Sequence, residues 1–370
     1  MNDVQALLVD RIAERIRSAG GWIGFDDYMR AALYEPGLGY YTSGLRKFGR
    51  YARDGSDFVT APELGSVFGR TLARQIDEVL AVSSPQVIEF GAGSGKLAAD
   101  LLTALGDACS SYRILELSGE LRERQRQTIA TRAPALLGKV EWLDRLPERF
   151  DGCMVGNEVL DAMPVRIVRR TVTSWEELGV GAVDGSTFVW TARPADEPLL
   201  ASIAACIPRA EALEAGYMTE LGLEAMAFTR SVCERIGRGG LLLIDYGFPS
   251  GEYYHPQRVE GTLMCHRAHL THDDPFDRPG LTDITSHVDF SAIAESAFQT
   301  GAQIAGYNTQ ARFLLNAGVL DVITPADALE ARLLMNEDEM GELFKVIAIT
   351  RDLDDRVLCG FTRGDRTARL

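Results

Sequence analysis

The chain lacks several features that would assign it to other classes of protein. Its 370 residues contain no uninterrupted apolar run of about 18 residues, the length that a membrane-spanning helix needs. The first turns of the chain include Asp3, Asp10 and Glu14, whereas signal peptides need an uncharged apolar stretch and mitochondrial presequences avoid acidic residues. We therefore expect a cytoplasmic protein that does not insert into a membrane.

Basic residues are few relative to acidic ones. The chain has 38 Lys and Arg against 53 Asp and Glu, which gives a formal net charge of −15 at pH 7. An acidic surface repels the phosphates of nucleic acids, so we expect no general nucleic-acid binding. The same charge is compatible with a basic protein partner or a cationic side chain as substrate.

The ligand spacing of a zinc site is also missing. None of the 6 cysteines pairs with another at CxxC spacing, and most lie in apolar runs that are typical of buried, reduced thiols. Cys265 and His266 lie close in sequence to His269 and His272, but no second ligand pair follows at zinc-site spacing. We therefore expect a polar loop there and no bound metal.

Length and periodicity predict more than one region. A chain of 370 residues is too long for one compact core of ordinary size. Apolar residues recur at helical spacing over 4–19, and further helices are expected over 25–34 and after Pro62. The predicted regions are an N-terminal helical cap (1–84), an α/β core (85–164 and 237–370) and an inserted lid (165–236).

Strands and helices alternate in the predicted core. Helical patterns occupy Lys96–Leu105 and Gly119–Thr131. The strand candidates around them are Gln86–Phe90, Arg113–Leu117, Phe150–Gly156 and Gly240–Asp245. This alternation predicts a doubly wound, mostly parallel sheet.

The insertion and the C-terminal part carry weaker patterns. Residues 165–190 alternate in polarity and contain turn glycines, which predicts short strands. The other expected elements are helices over 195–205, 217–236 and 286–301 and strands over 303–308 and 343–362.

A glycine-rich loop joins the first core strand to its helix. Glycines stand at positions one, three and five of the loop, as Gly91, Gly93 and Gly95, and Glu89 precedes them. A dinucleotide fingerprint needs a glycine at position six, where this chain has Lys96. The spacing therefore favours a loop that wraps a methionine-like tail, with a simple tight turn as the alternative.

Polar residues follow the next strands of the predicted sheet. Glu116 ends the second strand, where an acid can accept hydrogen bonds from both hydroxyls of a ribose. Asn157 follows a later strand and is a candidate for binding the amino-acid end of the cofactor. Glu158 and Asp161 come next and are expected to face the substrate.

The chain resembles the MidA-like family, whose bacterial and mitochondrial members include the complex I assembly-factor protein arginine methyltransferase. The resemblance extends over most of the chain. The segments that carry it are Tyr28-Met29, 32–34, 36–41, 56–64, Phe68-Gly69, 89–97, 156–165, 245–247, 261–263 and 283–290. Those over 57–64 and 157–165 are specific to this family, whereas the glycine loop is not.

The resemblance implies a class I, Rossmann-like methyltransferase fold that binds S-adenosyl-L-methionine. It places a cap loop with Asp57, Thr60 and Glu63 over the cofactor, beside Glu89 and the glycine loop. For the mitochondrial members it implies dimethylation of an arginine on a complex I subunit. The absence of a presequence groups this chain with the bacterial members, for which the substrate is an open hypothesis.

Two pairs of residues are candidates for acceptor chemistry. Carboxylates can grip the N–H groups of a guanidinium, and a helical turn would put Glu158 and Asp161 on one face. The alternative is a pair of ordinary acids at a helix start. His287 could accept a proton beside Asp289, with a capped helix start as the alternative.

The sequence offers three candidate aromatic residues for the acceptor site and leaves three functions open. Tyr40, Tyr41 and Tyr246 could form a cation-binding wall, although packing is their commoner role. Besides a protein arginine methyltransferase, an assembly factor with little transferase activity and a small-molecule methyltransferase stay open. The intact loop, Glu116 and the acid pair favour an active enzyme, and the large insertion favours a protein substrate. A homodimer is compatible with the helical cap.

Overall fold

The computed structural model describes residues 3–43, 60–353 and 357–370. The strands in chain order are β1 (Ile23–Gly24), β2 (Gln86–Phe90), β3 (Ser111–Leu115), β4 (Val140–Leu143), β5 (Phe150–Asn157), β6 (Arg166–Arg170), β7 (Trp175–Val183), β8 (Thr187–Pro194), β9 (Met218–Leu221), β10 (Ile236–Phe248), β11 (Met264–Arg267), β12 (Leu270–His272), β13 (Asp283–Thr285), β14 (Val288–Asp289), β15 (Gln303–Thr309) and β16 (Phe344–Arg351).

The α-helices complete the architecture. In chain order they are α1 (Asp3–Ser18), α2 (Phe25–Tyr34), α3 (Ala61–Leu64), α4 (Val67–Leu80), α5 (Lys96–Leu105), α6 (Gly119–Arg132), α7 (Glu197–Cys206), α8 (Leu223–Cys233), α9 (Ser250–Tyr253), α10 (Phe290–Phe298), α11 (Gln310–Asn316), α12 (Val319–Val322), α13 (Ala328–Met335) and α14 (Met340–Leu343). Within the described ranges, none of these helices has the length and apolar character needed to cross a membrane.

The central sheet has the strand order β15-β16-β10-β5-β2-β3-β4. The five strands from β10 to β4 run parallel, and β16 and β15 add an antiparallel edge. Successive side chains of a strand point to opposite faces. Val87 therefore joins the core beneath α4 and α5, whereas Ile88 joins the core beneath α8 and α10. Helices thus cover both faces, which confirms the predicted mostly parallel α/β fold.

Helix α4 begins without a local capping side chain. Ser66 occupies the N-cap position but its hydroxyl makes no cap hydrogen bond. Instead, the N–H of Val67 donates to Oε1 of Glu330 at 2.6 Å. A carboxylate at a helix N-terminus satisfies a free N–H and complements the helix dipole. This long-range contact fixes the start of the helix close to the cofactor loop.

A second, antiparallel sheet lies outside the central one. Its order is β1-β7-β6-β9. Strands β1 and β6 pair with successive parts of β7 along one edge, and β8 pairs with β7 along the opposite edge. Ile23 of β1 pairs with Val180 of β7, so the N-terminal segment and the inserted strands share one sheet. Buried residues of α1 and α2, such as Ile12 and Met29, pack in one hydrophobic cluster with Leu178 of that sheet. The division into cap, core and insertion stays a prediction, but its two outer parts have a common core.

Three element predictions are wrong at their bounds. The helix expected over 217–236 is a strand, β9, followed by α8 and by the start of β10. Gly222 separates the strand from the helix, and pairing with β6 holds the strand in extended form. The helix over 286–301 covers only α10, and the strand over 343–362 ends at Arg351. In a continuous apolar segment, periodicity alone does not show where a helix or a strand begins and ends.

Strands β5 and β10 approach each other most closely at a pair of glycines. Gly239 lies opposite Gly152, beside an irregularity in the β10 register. A Cβ atom on Gly239 would lie 1.9 Å from the carbonyl oxygen of Gly152. Backbone atoms cannot yield cheaply to such a contact, so this position has room only for glycine.

We predict that Gly239→Ala destabilises the fold by about 1–3 kcal/mol or more, the cost of forcing an extra methyl group into a packed interior. Gly251→Ala is the matched control, because a Cβ there would meet no atom within 4 Å. Urea-induced unfolding of both variants measures the difference. Equal midpoints for the two variants would show that the glycine contact is not a constraint.

Candidate functional site

A cavity of about 490 Å³ opens at the carboxyl ends of β2, β3 and β5. Open α/β sheets bind ligands at this edge. The volume lies within the range of about 300–1,000 Å³ that small-molecule sites occupy. Of the residues singled out from the sequence, the cavity is lined by Tyr41, Thr60, Glu63, Glu89, Gly91, Gly93, Glu116, Asn157, Glu158 and Asp161. Asp57 lies outside the described residues.

The glycine loop follows β2 and takes backbone conformations that other residues rarely adopt. Gly91, Gly93 and Gly95 have φ values of 60°, 52° and 82°. A Cβ on Gly91 would lie 2.8 Å from Cγ1 of Val159, and one on Gly95 would lie 2.8 Å from Cα of Gln125. The loop therefore packs tightly against its surroundings while α5 directs its free N–H groups toward the cavity.

Glu116 lies immediately after β3, at the far side of the loop. Its Oε1 accepts the N–H of Ser118 at 2.9 Å, and its Oε2 accepts Nε2 of Gln125 at 3.1 Å. Burial raises the pKa of this carboxyl. Gln125 also donates to the carbonyl oxygen of Gly93, so it ties the acid to the glycine loop. This geometry suits a carboxylate that accepts hydrogen bonds from two ribose hydroxyls. Sequence reasoning missed Gln125, because its helical spacing does not reveal that it binds Glu116 and Gly93.

Glu89 is buried directly beneath the loop. The hydroxyl of Tyr112 donates to its Oε2 at 2.6 Å, and burial raises the pKa of Glu89 to about 7. Because both residues lie on adjacent parallel strands, the hydrogen bond fixes the acid within the sheet. Its side chain forms part of the floor of the cavity.

Helix α3 and its flanking residues cover one side of the loop. Glu63 accepts a hydrogen bond from the hydroxyl of Ser94 in the glycine loop. On the other side of that loop, Nζ of Lys96 donates to the carbonyl oxygen of Gly65 and to Asp100. These contacts fasten the segment with Thr60 and Glu63 to the glycine loop.

The segment after β5 is a turn, so the expected helical turn with Glu158 and Asp161 on one face is wrong. Glu158 has a φ of 52°, a left-handed conformation that does not continue a right-handed helix. Its N–H donates to the carbonyl oxygen of Ile244, which belongs to the neighbouring strand β10. Hydrogen bonds to that strand thus replace the intrahelical bonds, and both acids nevertheless line the same cavity.

Two further residues at the end of β10 hold this turn. Oδ2 of Asp245 accepts the N–H groups of Leu160 and Asp161 at 2.9 and 3.2 Å. The hydroxyl of Tyr246 donates to Oδ2 of Asp161 at 2.5 Å. Asp245 is fully buried, and sequence reasoning did not assign it a role. We refer to residues 157–161 as the acid turn.

Among the described residues, the carboxyl groups of the acid turn have no counter-cation. Burial, followed by the charge of Asp161, raises the pKa of Glu158 to about 8. Burial raises the pKa of Asp161 to about 6, and it also raises the pKa of Asp245. In the described part of the chain, none of the three forms an ion pair with Lys, Arg or His. Buried acids of this kind favour a cationic ligand.

Two oxygen atoms at the acid turn are left for a ligand. Oδ1 of Asn157 and Oδ1 of Asp161 are buried and have no hydrogen-bond partner among the described residues. Nδ2 of Asn157 donates to Oε1 of Glu158 at 2.9 Å, which turns the amide oxygen away from that acid. An ammonium or guanidinium donor fits both acceptors.

The structure does not bring His287 into this cavity. Its ring packs edge-on against Tyr246 and stacks on Phe248, with centroid distances of 5.1 and 5.3 Å. Burial, followed by the charge of Arg258, lowers the pKa of His287 to about 4. Asp289 caps α10 by accepting backbone N–H groups, in agreement with the alternative of a capped helix start.

The three tyrosines considered for a cation-binding wall lie in different positions relative to the cavity. Tyr40 is buried, Tyr41 lines the cavity, and Tyr246 lies beneath Asp161. Tyr34, which belongs to a segment that carries the family resemblance but had no role assigned from the sequence, also lines the cavity. It lies at the end of α2, where its spacing is that of an ordinary amphipathic helix.

We predict that Glu116→Ala weakens binding of S-adenosylhomocysteine about 10- to 100-fold, the loss expected when hydrogen bonds to a charged group are removed. Glu120→Ala is the control, because Glu120 is exposed on the first turn of α6. Isothermal titration calorimetry compares the two variants with the unmodified chain. Equal affinities for all three proteins would remove Glu116 from the nucleoside end.

Comparison with known proteins identifies the family. Residues 67–308 match the family model described as S-adenosyl-L-methionine-dependent methyltransferase. The fold is similar to a crystal structure of a COG1565 superfamily member from Burkholderia thailandensis bound to S-adenosyl-homocysteine, with a TM-score of 0.94 and 51% identity over 100% of this chain and 99% of that one. A native crystal structure of a superfamily protein from the same organism matches with a TM-score of 0.91 and 49% identity, again over 100% and 99%.

A curated relative extends the comparison beyond bacteria. The chain is 26% identical to the mitochondrial protein arginine methyltransferase NDUFAF7 of Danio rerio, over 94% of this chain and 88% of the relative. The glycine loop, Glu116 and the acceptor atom of Asn157 that has no partner among the described residues fit S-adenosyl-L-methionine, the cofactor of this family. The chain therefore belongs to this family of S-adenosyl-L-methionine-dependent methyltransferases, and S-adenosyl-L-methionine is its cofactor.

Proposed function

We propose that the chain methylates an arginine side chain of a protein substrate. The observation that carries the proposal is the acid turn, where the buried Asp161 and the half-buried Glu158 line the cofactor cavity and form no ion pair with the residues that the structure describes. A guanidinium keeps its charge at every ordinary pH, so it is a suitable partner for such acids. The name of the Danio rerio relative, a protein arginine methyltransferase, supports the same acceptor.

The residues of the acid turn suit the chemistry of a guanidinium. When bound, S-adenosyl-L-methionine supplies a methyl group on a sulfonium. Carboxylates that accept the N–H groups of the guanidinium orient it and draw its charge away from the attacking nitrogen. We assign Glu158 and the free Oδ1 of Asp161 to this grip, and Glu158 to the acceptance of the proton that the nitrogen loses. Its raised pKa makes it the stronger base of the pair.

Roles for the remaining site residues belong to the same proposal. The cofactor contacts are assigned to Asp57, Thr60, Glu63, Glu89, Gly91, Gly93, Gly95, Glu116 and Asn157. His287 has no contact with the cavity, so its assigned part in catalysis has no support from the geometry. The insertion contributes Glu224 and Phe228 of α8 to the cavity wall, which supports its assignment as a lid over a protein substrate.

The most specific part of the proposal is the identity of the protein substrate. The resemblance to the MidA-like family makes a respiratory complex I subunit the first candidate. Mass spectrometry of complex I subunits from cells with and without the gene tests it, because a methylated arginine peptide should disappear with the gene. Unchanged peptides together with loss of methylarginine from another protein would leave the arginine chemistry in place and reject the complex I substrate.

We predict that Glu158→Gln lowers methyl transfer about 100-fold or more, as is usual when a base that acts in the transition state is removed. Binding of S-adenosylhomocysteine should stay within about twofold, since Gln keeps the size of the side chain and gains no charge. Lysate from cells that lack the gene, incubated with methyl-labelled cofactor, provides the acceptor. Acid hydrolysis then shows which amino acid carries the label.

The exposed Glu148 supplies the matched control, Glu148→Gln, which should transfer label at the rate of the unmodified chain. Label in arginine that depends on Glu158 supports the proposal. Label in lysine or in a small molecule would favour another methyltransferase class. Cofactor binding with no label in any acceptor would favour the assembly factor with little activity.

We predict that kcat/KM for transfer of the labelled methyl group to the acceptor rises with pH between about 6 and 8. Glu158, with a pKa raised to about 8, and Asp161, with a pKa raised to about 6, are protonated below these values and cannot pair with a guanidinium. For a single group the ionised fraction grows about tenfold for each pH unit below its pKa. Glu158→Gln should remove the rise between 6 and 8. A flat profile of the unmodified chain over that window contradicts the assignment.

A further inference from the structure

We propose that Tyr34 and Tyr41 form the aromatic wall that receives the acceptor side chain and selects arginine over lysine. This inference rests on the proposed function, because it names what chooses the acceptor at the same site. Both tyrosines line the cavity that contains the acid turn. Neither belongs to the glycine loop or to the Glu116 end, where the cofactor contacts are concentrated.

The two rings are fixed in place. They stack with a centroid distance of 5.5 Å and an interplanar angle of 22°. Tyr40 packs edge-on against Tyr41 at 5.0 Å from the other direction. The N–H of Tyr41 donates to the carbonyl oxygen of Leu33 at 2.9 Å, which holds its backbone alongside the end of α2. A wall that is already ordered costs a ligand little conformational entropy.

Hydrogen bonds hold both hydroxyl groups, so the cavity receives ring surface rather than free hydroxyls. The hydroxyl of Tyr34 donates to the carbonyl oxygen of Ala162 at 2.9 Å. The hydroxyl of Tyr41 lies 3.0 and 3.1 Å from the two carboxylate oxygens of Asp283. Since Ala162 directly follows the acid turn, the first of these bonds fixes the Tyr34 ring beside Asp161.

The ring of Tyr34 is accessible to a ligand. Tyr34 is 37% exposed, whereas Tyr40, its near neighbour in the same cluster, is 1% exposed. A tyrosine that served only to pack α2 against the core would bury its ring as Tyr40 does. Tyr34 instead has its hydroxyl bonded to Ala162, lines the cavity and stays 37% exposed.

An aromatic wall beside buried carboxylates distinguishes two cationic side chains. The guanidinium of arginine is planar, stacks on aromatic faces and is weakly hydrated, so it can contact ring and carboxylate together. The ammonium of lysine is compact and strongly hydrated, and it has no flat face to stack. The combination of Tyr34 and Tyr41 with the acid turn therefore favours arginine.

The test uses the protein loaded with S-adenosylhomocysteine and two probes, N-acetyl-arginine methylamide and N-acetyl-lysine methylamide. Titration followed by NMR gives the affinity of each probe. We expect the unmodified chain to prefer the arginine probe, and Tyr34→Leu and Tyr41→Leu each to reduce that preference about three- to thirtyfold. Tyr34→Phe keeps the ring and should keep the preference.

Phe298→Leu is the matched control, because it removes an exposed ring of α10 outside the cavity. Affinity for S-adenosylhomocysteine reports whether each variant is folded. If either leucine variant fails to bind S-adenosylhomocysteine, the test is made on the unmodified chain instead. Transferred nuclear Overhauser effects should then connect tyrosine ring protons with the δ-methylene of the arginine probe. Their absence overturns the inference.

The outcomes separate this inference from the proposed function. An arginine preference that survives in both folded leucine variants overturns the aromatic wall and leaves arginine methylation standing. Equal affinity of the unmodified chain for the two probes overturns the wall and also counts against arginine as the acceptor.

Discussion

The carboxyl group of Asp245 fixes the geometry of the acid turn. It accepts the backbone N–H groups of Leu160 and Asp161 at the end of β10. The residues on either side of it, Ile244 and Tyr246, bind Glu158 and Asp161 of the same turn. Three consecutive residues of one strand therefore hold a turn whose second residue, Glu158, is left-handed, and without them the two acids would have no fixed relation to the glycine loop.

The same arrangement concentrates negative charge where burial opposes it. Ionised carboxyl groups that lie close together in a buried site raise each other's pKa, and a cation relieves that repulsion. The glycine loop and the acid turn thus differ in kind: the loop consists of glycines with positive φ values, whereas the turn carries buried oxygen atoms that have no partner among the described residues. The tyrosines add a third property, a fixed apolar surface beside the charge.

Local sequence signals predicted the half of the site that local structure builds. The strand Gln86–Phe90 and the glycine turn after it were predictable because positive φ values select glycine within a few residues. Glu158 and Asp161 were expected after a core strand and line the cavity there, but the turn that carries them was given the wrong conformation, because a spacing of three residues suits a helix and a turn alike. Gln125 and Tyr34 act through contacts with distant segments, for which a single sequence holds no signal.

The pairing of β1 with β7 has a consequence for synthesis of the chain. A two-residue strand near the N-terminus, at Ile23 and Gly24, finds its partner only at Gly179 and Val180. The first two helices therefore leave the ribosome long before the strands against which they pack exist, and their apolar faces stay without that cover in the interval. Since contacts distant in sequence form slowly, the outer sheet is a part of this protein for which a chaperone would matter during folding.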